Sequence, residues 1–381
     1  MSIDRLFLLM KEKAASDLFF AVNSPIQIKI NGNLYPINQQ KLDQAMILNL
    51  LAEAVPATRM QELDHDNELN IGIPVTGVGS FRLSAFRQRG SISAVLRYIP
   101  THIPPLKESN LPPLLADLIM EKRGLLLVVG ATGSGKSTTI ASMLDYRNEL
   151  KTGHILTLED PIEFLFKNKK SIVNQREIGT DSASLAIALK NALRQAPDCI
   201  LIGEIRDKET MSAALAYAQS GHLVVATLHA NNSYQALNRI INFFPLENRA
   251  ALLPDLAATL RAIISQRLIP AIDGGRRAAV EVLLNTRHIA DLIEKGELGQ
   301  IKEAIEKSMA PGCQTFEQAL LQMISASLIT KEEAMVHADS ATNLFWLLNN
   351  KAEKPPEQDS ASNSAVPNEE GATFTEFTFN V

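Results

Sequence analysis

The chain has 381 residues, 46% of them apolar, with acids and bases interleaved to a formal net charge of −5. That length accommodates two hydrophobic cores, and the acidic balance lacks the electrostatic footprint of a dedicated nucleic-acid binder. Two cysteines, Cys199 and Cys313, exclude a disulfide framework or a four-thiolate zinc site and suggest a reducing compartment.

From the start of the chain, "MSIDRLFLLMKEKAASD" places Ile3, Leu6, Phe7, Leu9 and Met10 at helical spacing. This predicts an amphipathic helix rather than a secretory signal. No run approaches the ~18–20 apolar residues that span a bilayer, so a cytoplasmic protein is expected. The runs "DLFFAV" and "IQIKING", with Asn31-Gly32-Asn33 as the turn, predict a hairpin continuing into "LYPI". A helical stretch follows near 41–64. Then "ELNIGIPV", "GSFRLSAFRQRG" and "SISAVLRYI" read as three strands, giving residues 1–99 an α+β texture with helices on one sheet face. Residues 100–120 contain five prolines and read as an extended linker.

Over 121–350 the texture becomes strands alternating with helices. "GLLLVVG" (124–130), "HILTL" (154–158), "CILIG" (199–203) and "HLVVATLH" (222–229) are solidly apolar, as parallel strands buried on both faces must be. Helical patterns at 136–150, 183–195 and 208–220 intervene, predicting a doubly wound α/β core. Residues 246–350 read as mostly helical, "LPDLAATLRAIIS" (253–265) included. The acidic tail 351–381 is expected to be disordered over 351–371, with "TFTEFTF" (373–379) as a possible docking peptide or a loose end.

"GATGSGKST" spans Gly130, Ala131, Thr132, Gly133, Ser134, Gly135, Lys136, Ser137 and Thr138, between an apolar strand and a helix. It fits the phosphate-binding loop: glycines let backbone N–H groups turn onto phosphate oxygens, and the helix offers its positive end. Lys136 can reach the β- and γ-phosphates of ATP, and the Ser137 hydroxyl can bind Mg²⁺. Beyond a second strand, "TLEDPIEF" sets Glu159, Asp160 and Glu163 around a proline. Strand ends of a doubly wound sheet converge on one edge, so these acids would face the same Mg²⁺–ATP; a capped turn is the alternative for Glu159 and Asp160. "CILIGE" ends on Glu204, placed to orient or deprotonate the attacking water. "ATLHANN" ends on His229, which can hydrogen-bond a γ-phosphate oxygen. His222 starts the same strand and should face the opposite edge; its role stays open. Arg82, Arg87, Arg89 and Arg97, all in the first region, are candidates for an arginine finger acting across an interface.

Taken in order, "GATGSGKST", "LEDPIEF", "ILIGEIRD" and "SGHLVVATLHANN" resemble the secretion and type IV pilus ATPase superfamily. "SDLFFAVNSPIQIKING" and "NQREIG" look like its PilT branch, the pilus retraction motors. "ALKNALRQAPD", "TLHANNSYQALNRIINFFP", "VEVLLNT" and "EEAMVHADS" look closer to a paralogue within that branch. The resemblance, covering about residues 1–350, implies a homohexamer of subunits with a PAS-like N-terminal domain and a RecA-like ATPase domain with a helical C-terminal part. It implies ATP held between the two domains, with N-terminal arginines such as Arg82 and Arg97 reaching the phosphates. It places Glu163 on the family's catalytic glutamate, Glu204 on its Walker B glutamate, and His222 and His229 on its His box. The implied partners are the PilT retraction ATPase and an inner-membrane pilus platform protein, which would tether a cytoplasmic motor to the membrane; no nucleic acid is expected. "RHIADLIEKGE" (287–297) departs from the retraction motors' C-terminal motif, favouring an accessory role beside PilT. A nucleic-acid translocase, a non-catalytic partner and a small-molecule phosphotransferase are the competing readings.

Overall fold

The computed structural model describes residues 2–30, 32–99 and 102–352. In the first part α1 (Ile3–Glu12), β1 (Asp17–Ala21), β2 (Gln27–Ile30), β3 (Asn33–Pro36), α2 (Gln44–Ala54), α3 (Ala57–His65), β4 (Glu68–Val75), β5 (Gly79–Gln88) and β6 (Ser91–Ile99) follow one another. The strands form a six-stranded antiparallel sheet in the order β3-β2-β1-β6-β5-β4. Strand side chains alternate between faces, so Leu18 and Phe20 of β1, Phe81, Leu83 and Ala85 of β5, and Ile92, Ala94 and Leu96 of β6 share one core. Ile3, Leu6, Phe7 and Met10 of α1 close over it together with α2. The β2–β3 hairpin forms, although Asn31 of its predicted turn lies outside the described residues.

The proline-rich stretch, expected to be extended, is not extended throughout. A 3₁₀ turn covers Leu106–Glu108, and α4 (Leu114–Met120) follows Pro113. Proline is compatible with a helix start, and the seven residues after it contain none. Leu115 and Ile119 are buried, and Arg147 fixes the helix end by donating to the carbonyls of Ile119 (2.6 Å) and Glu121 (3.0 Å).

Next come β7 (Gly124–Val129), α5 (Lys136–Leu150), β8 (Gly153–Glu159), β9 (Ser171–Glu177), α6 (Leu185–Ala192), β10 (Cys199–Ile202), α7 (Lys208–Gln219), β11 (Leu223–Leu228), α8 (Ser233–Asn242), α9 (Leu246–Thr259), β12 (Leu260–Pro270) and β13 (Arg276–Leu284). Helices α10 (Arg287–Lys295), α11 (Ile301–Glu306), α12 (Phe316–Ser325), α13 (Lys331–His337) and α14 (Ala341–Ala352) complete the described chain. The second sheet has seven strands, β13-β12-β7-β11-β10-β8-β9, all parallel except β13. Its central strands β7, β11 and β10 are buried at every position and almost wholly apolar, Thr227 of β11 being polar, because both faces are covered. In β7, Leu125, Leu127 and Val129 enter one core while Leu126 and Val128 enter the other.

Three expectations need correction. Residues 246–350 are mostly helical but not continuously so: α9 stops at Thr259, and β12 and β13 add two sheet strands. "RAIIS" had been read as helix, yet Leu260, Ala262, Ile263 and Ile264 pack against β7 in parallel register, so tertiary pairing overrides local pattern. β9, half-polar "SIVNQRE", was not recognised as a strand because it is an edge strand with one face exposed. At the other end α14 includes Lys351 and Ala352, so the expected disorder does not begin at 351; the rest of the tail, "TFTEFTF" included, lies outside the described residues.

Candidate active site

Parallel strands end at a common edge, and four of them carry the residues that the sequence singled out. The loop after β7 enters α5 through Gly135, whose φ of 89° is left-handed. A Cβ there would lie 2.7 Å from the Gln266 side-chain nitrogen, so glycine is required twice over. Lys136 donates to the carbonyls of Gly130 and Ala131, each at 2.9 Å, folding its ammonium back over the loop. Burial lowers its pKa, with Glu204 and Glu163 pulling the other way. The Ser134 hydroxyl is buried within the loop without a protein partner, and Ser134 does not line the cleft.

The acidic turn after β8 divides its carboxylates. Glu159 is buried, accepting from Thr157 Oγ1 (2.6 Å) and Gln175 Nε2 (3.1 Å), and burial raises its pKa. Asp160 and Glu163 line the cleft. After β10, Gly203 permits close approach to β8: a Cβ would lie 3.1 Å from the Leu158 carbonyl. Glu204 follows immediately, between a guanidinium and an imidazole: Arg206 Nε lies 2.7 Å from its Oε2 and His229 Nε2 lies 3.2 Å from its Oε1. The Thr227 hydroxyl donates to the Gly203 carbonyl, locking the ends of β10 and β11 together.

These groups surround one cleft of about 640 Å³, within the range of nucleotide-sized sites. Thr132, Gly133, Gly135, Lys136, Ser137 and Thr138 line it on one side, with Asp160, Glu163, Glu204 and His229 opposite. Arg206, Arg276, Phe164 and Phe166 also line it, and none of these was singled out beforehand. Arg206 was visible two positions after Glu204 in "GEIRD"; Arg276 follows a "DGG" turn in the hairpin that the helical reading hid. Gln266, 2% exposed on β12, was missed for the same reason. It donates to the Ser134 carbonyl (2.8 Å) and accepts from Thr139 (2.7 Å), holding the loop to the sheet.

Among the described residues, every cleft-lining side chain comes from residues 132–276, so Arg82 and Arg97 are not brought to it within one chain. They face each other across β5 and β6, and Arg97 pairs with Asp17 of β1 at 2.8 Å. His222 lies at the opposite strand edge, its Nδ1 3.0 Å from Ser220 Oγ and outside the cleft.

The family model described as "Type II/IV secretion system protein" matches residues 2–315. The type IV pilus ATPase PilU of Pseudomonas aeruginosa is 47% identical over 349 residues, covering 91% of each chain. The type IV pilus retraction ATPase PilT of the same organism is 38% identical, covering 90% of this chain and all of that one. Among solved structures, the pilus retraction motor PilT with bound ADP superposes with a TM-score of 0.85 at 40% identity, covering 91% of this chain and 99% of the other.

Proposed function

Because the chain belongs to the type II/IV secretion system protein family, we propose that it is an ATP-hydrolysing motor of the PilU type, promoting pilus retraction and twitching motility. Its α/β fold joins an N-terminal domain to a RecA-like ATPase domain. The observation carrying the reading is the convergence of the 130–138 loop, Glu163, Glu204 and His229 on one cleft.

In that cleft Lys136 would exchange its loop carbonyls for β- and γ-phosphate oxygens. Mg²⁺ would be held by Ser137 together with those phosphates. No group of three or more His, Cys, Asp or Glu among the described residues could hold a metal unaided. Glu204 would orient the attacking water, Glu163 would act on the same water or its metal, and His229 would contact the γ-phosphate. Residues 1–99 are read as the PAS-like domain, 100–120 as the connection and 121–350 as the ATPase domain with its helical part. Assembly into a homohexamer would bring Arg82 or Arg97 to a neighbour's nucleotide. The partners proposed are PilT and an inner-membrane platform protein, which would hold a cytoplasmic motor at the membrane without nucleic acid. The altered 287–297 stretch supports an accessory role beside PilT.

The test is ATP turnover by the purified full chain, alone and mixed with PilT, alongside pilus counts in cells lacking this protein, PilT or both. Lys136→Ala should abolish nucleotide binding or turnover. Glu204→Gln should bind ATP but hydrolyse it at least ~10²-fold more slowly. Unchanged turnover in both variants would remove the cleft from the mechanism, and unaltered pilus numbers in every strain lacking the protein would remove the retraction role.

A further inference from the structure

The loop from His229 to Asn232 joins β11 to α8, and both of its ends are tied down. At the cleft end His229 meets Glu204, and Arg239 donates to the His229 carbonyl at 3.0 Å. At the far end Arg267, the β12 residue next to Gln266, donates to the Asn231 carbonyl at 3.1 Å. The same guanidinium pairs with Asp339, donates to the His337 carbonyl at 2.6 Å and stacks 3.9 Å over the Phe316 ring. Asp339 in turn accepts from the Asn232 amide at 2.8 Å, while Asn232 caps α8 through Gln235 N.

Phe316 begins α12, and His337 ends α13. Arg267 and Asp339 therefore join the histidine loop to the helices that end the described chain. One residue, Ala230, separates His229 from Asn231, and two residue steps reach at most about 7 Å, too short to absorb a displacement by slack. Both side chains are mostly sheltered, with 20% of Arg267 and 16% of Asp339 exposed, so water competes weakly for the pair. Just beyond, the Ser233 amide and hydroxyl donate to buried Glu281 at 2.7 and 2.6 Å, fixing the first turn of α8 to β13.

We propose that Arg267 and Asp339 are positioning residues that hold the His229 loop and transmit the presence of the γ-phosphate to α12–α14. This rests on the ATPase reading, because His229 is the group taken to meet that phosphate. Loss of the phosphate would free His229 toward Glu204, and the short loop would pass the movement to the Arg267–Asp339 pair. The pair would then shift the helices through Phe316 and the α13 end.

Trp346 is the single tryptophan of the chain and lies on α14, which packs with α12 and α13 through Leu344, Phe316 and Ala334. Trp346 itself is 59% exposed, so its emission reports how α14 is seated and solvated. In the full-length wild type, emission with an ATP analogue carrying a non-hydrolysable β–γ bridge should differ from emission with ADP. Asp339→Ala and Arg267→Met should shrink that difference at least ~5-fold and lower kcat about 10-fold, with nucleotide affinity changed less than ~3-fold. Asp339→Asn, which retains one acceptor, should fall between. A wild type that hydrolyses ATP without any Trp346 response overturns the inference, as does a full response in the variants. Should Asp339→Ala fail to fold, the wild-type and Asp339→Asn arms still decide. A wild type that neither binds nor hydrolyses ATP overturns the ATPase reading itself, a separable result.

Discussion

In the turn after β8, Glu159 and Glu163 are the same residue type four positions apart, yet they sit in opposite environments. Both line the cleft, but Glu159 is buried against Thr157 and Gln175 whereas Glu163 is exposed. Spacing nominates the cluster but cannot rank its members, since burial depends on β9 supplying Gln175 from sixteen residues downstream. Burial raises the folded-state pKa of Glu159, so the folded chain binds this proton more tightly than the unfolded one. This group therefore costs stability above the raised value, and the cost is relieved as pH falls through it. Glu159→Gln should remove the part of the gain in thermal midpoint that appears as pH falls toward the ordinary carboxylate range; an unchanged pH profile would show that Glu159 does not titrate above that range. Gln266 is a second residue whose role comes from contact alone. Gln266→Ala leaves the Ser134 carbonyl and Thr139 hydroxyl without their partner, at a cost of about 1–3 kcal/mol. Nucleotide affinity should fall with little loss of folded structure, as titration calorimetry and circular dichroism would show.

At the scale of elements, the strands buried on both faces were the easiest to read. β7, β8, β10 and β11 are continuous apolar runs, and α5 follows its glycine loop at once. β12 was hidden because "LAATLRAIIS" carries good helix formers up to its middle and no glycine or proline at the break. What divides it is the parallel pairing of Ile263 with Leu127 and Ile264 with Val128, partners more than a hundred residues away. Ile263→Ala should therefore behave as a core truncation in a central sheet, destabilising by about 2–5 kcal/mol in denaturant unfolding. A cost below about 0.5 kcal/mol would mean that β12 is not held in the sheet as described. The α4 segment was misjudged for the opposite reason: five nearby prolines masked seven residues that contain none.

For the whole molecule, the cleft is lined, among the described residues, from 132–276, so the arginines proposed as fingers need a second subunit. Arg82 and Arg97 are direct cross-strand neighbours, a like-charge pair that costs free energy unless anions meet it. Asp17 supplies one. Substituting both by alanine should slow turnover about 10³-fold or more in the assembled protein while each subunit remains folded. Full activity in assembled hexamers, checked by size-exclusion light scattering, would exclude both. Truncation after Ala352 should leave ATP turnover within about 2-fold, because Phe316, Leu320 and Leu344 already form a buried core among the described residues of α12, α13 and α14. A collapse of activity would place the tail inside the working unit.

By itself the amino-acid order determined the phosphate loop, the central strands, the acidic strand ends and the likeness to pilus motors. Each is written in adjacent residues, where glycine freedom, strand burial and charge spacing act locally. Tertiary structure alone decided which acid turns inward, that Arg206 flanks Glu204, that Arg276 reaches the cleft, and that Gln266 and Arg267 tie the phosphate and histidine loops to β12. Those outcomes depend on the side-by-side order of strands distant in the chain, and a parallel sheet brings such strands together only once its crossovers have packed.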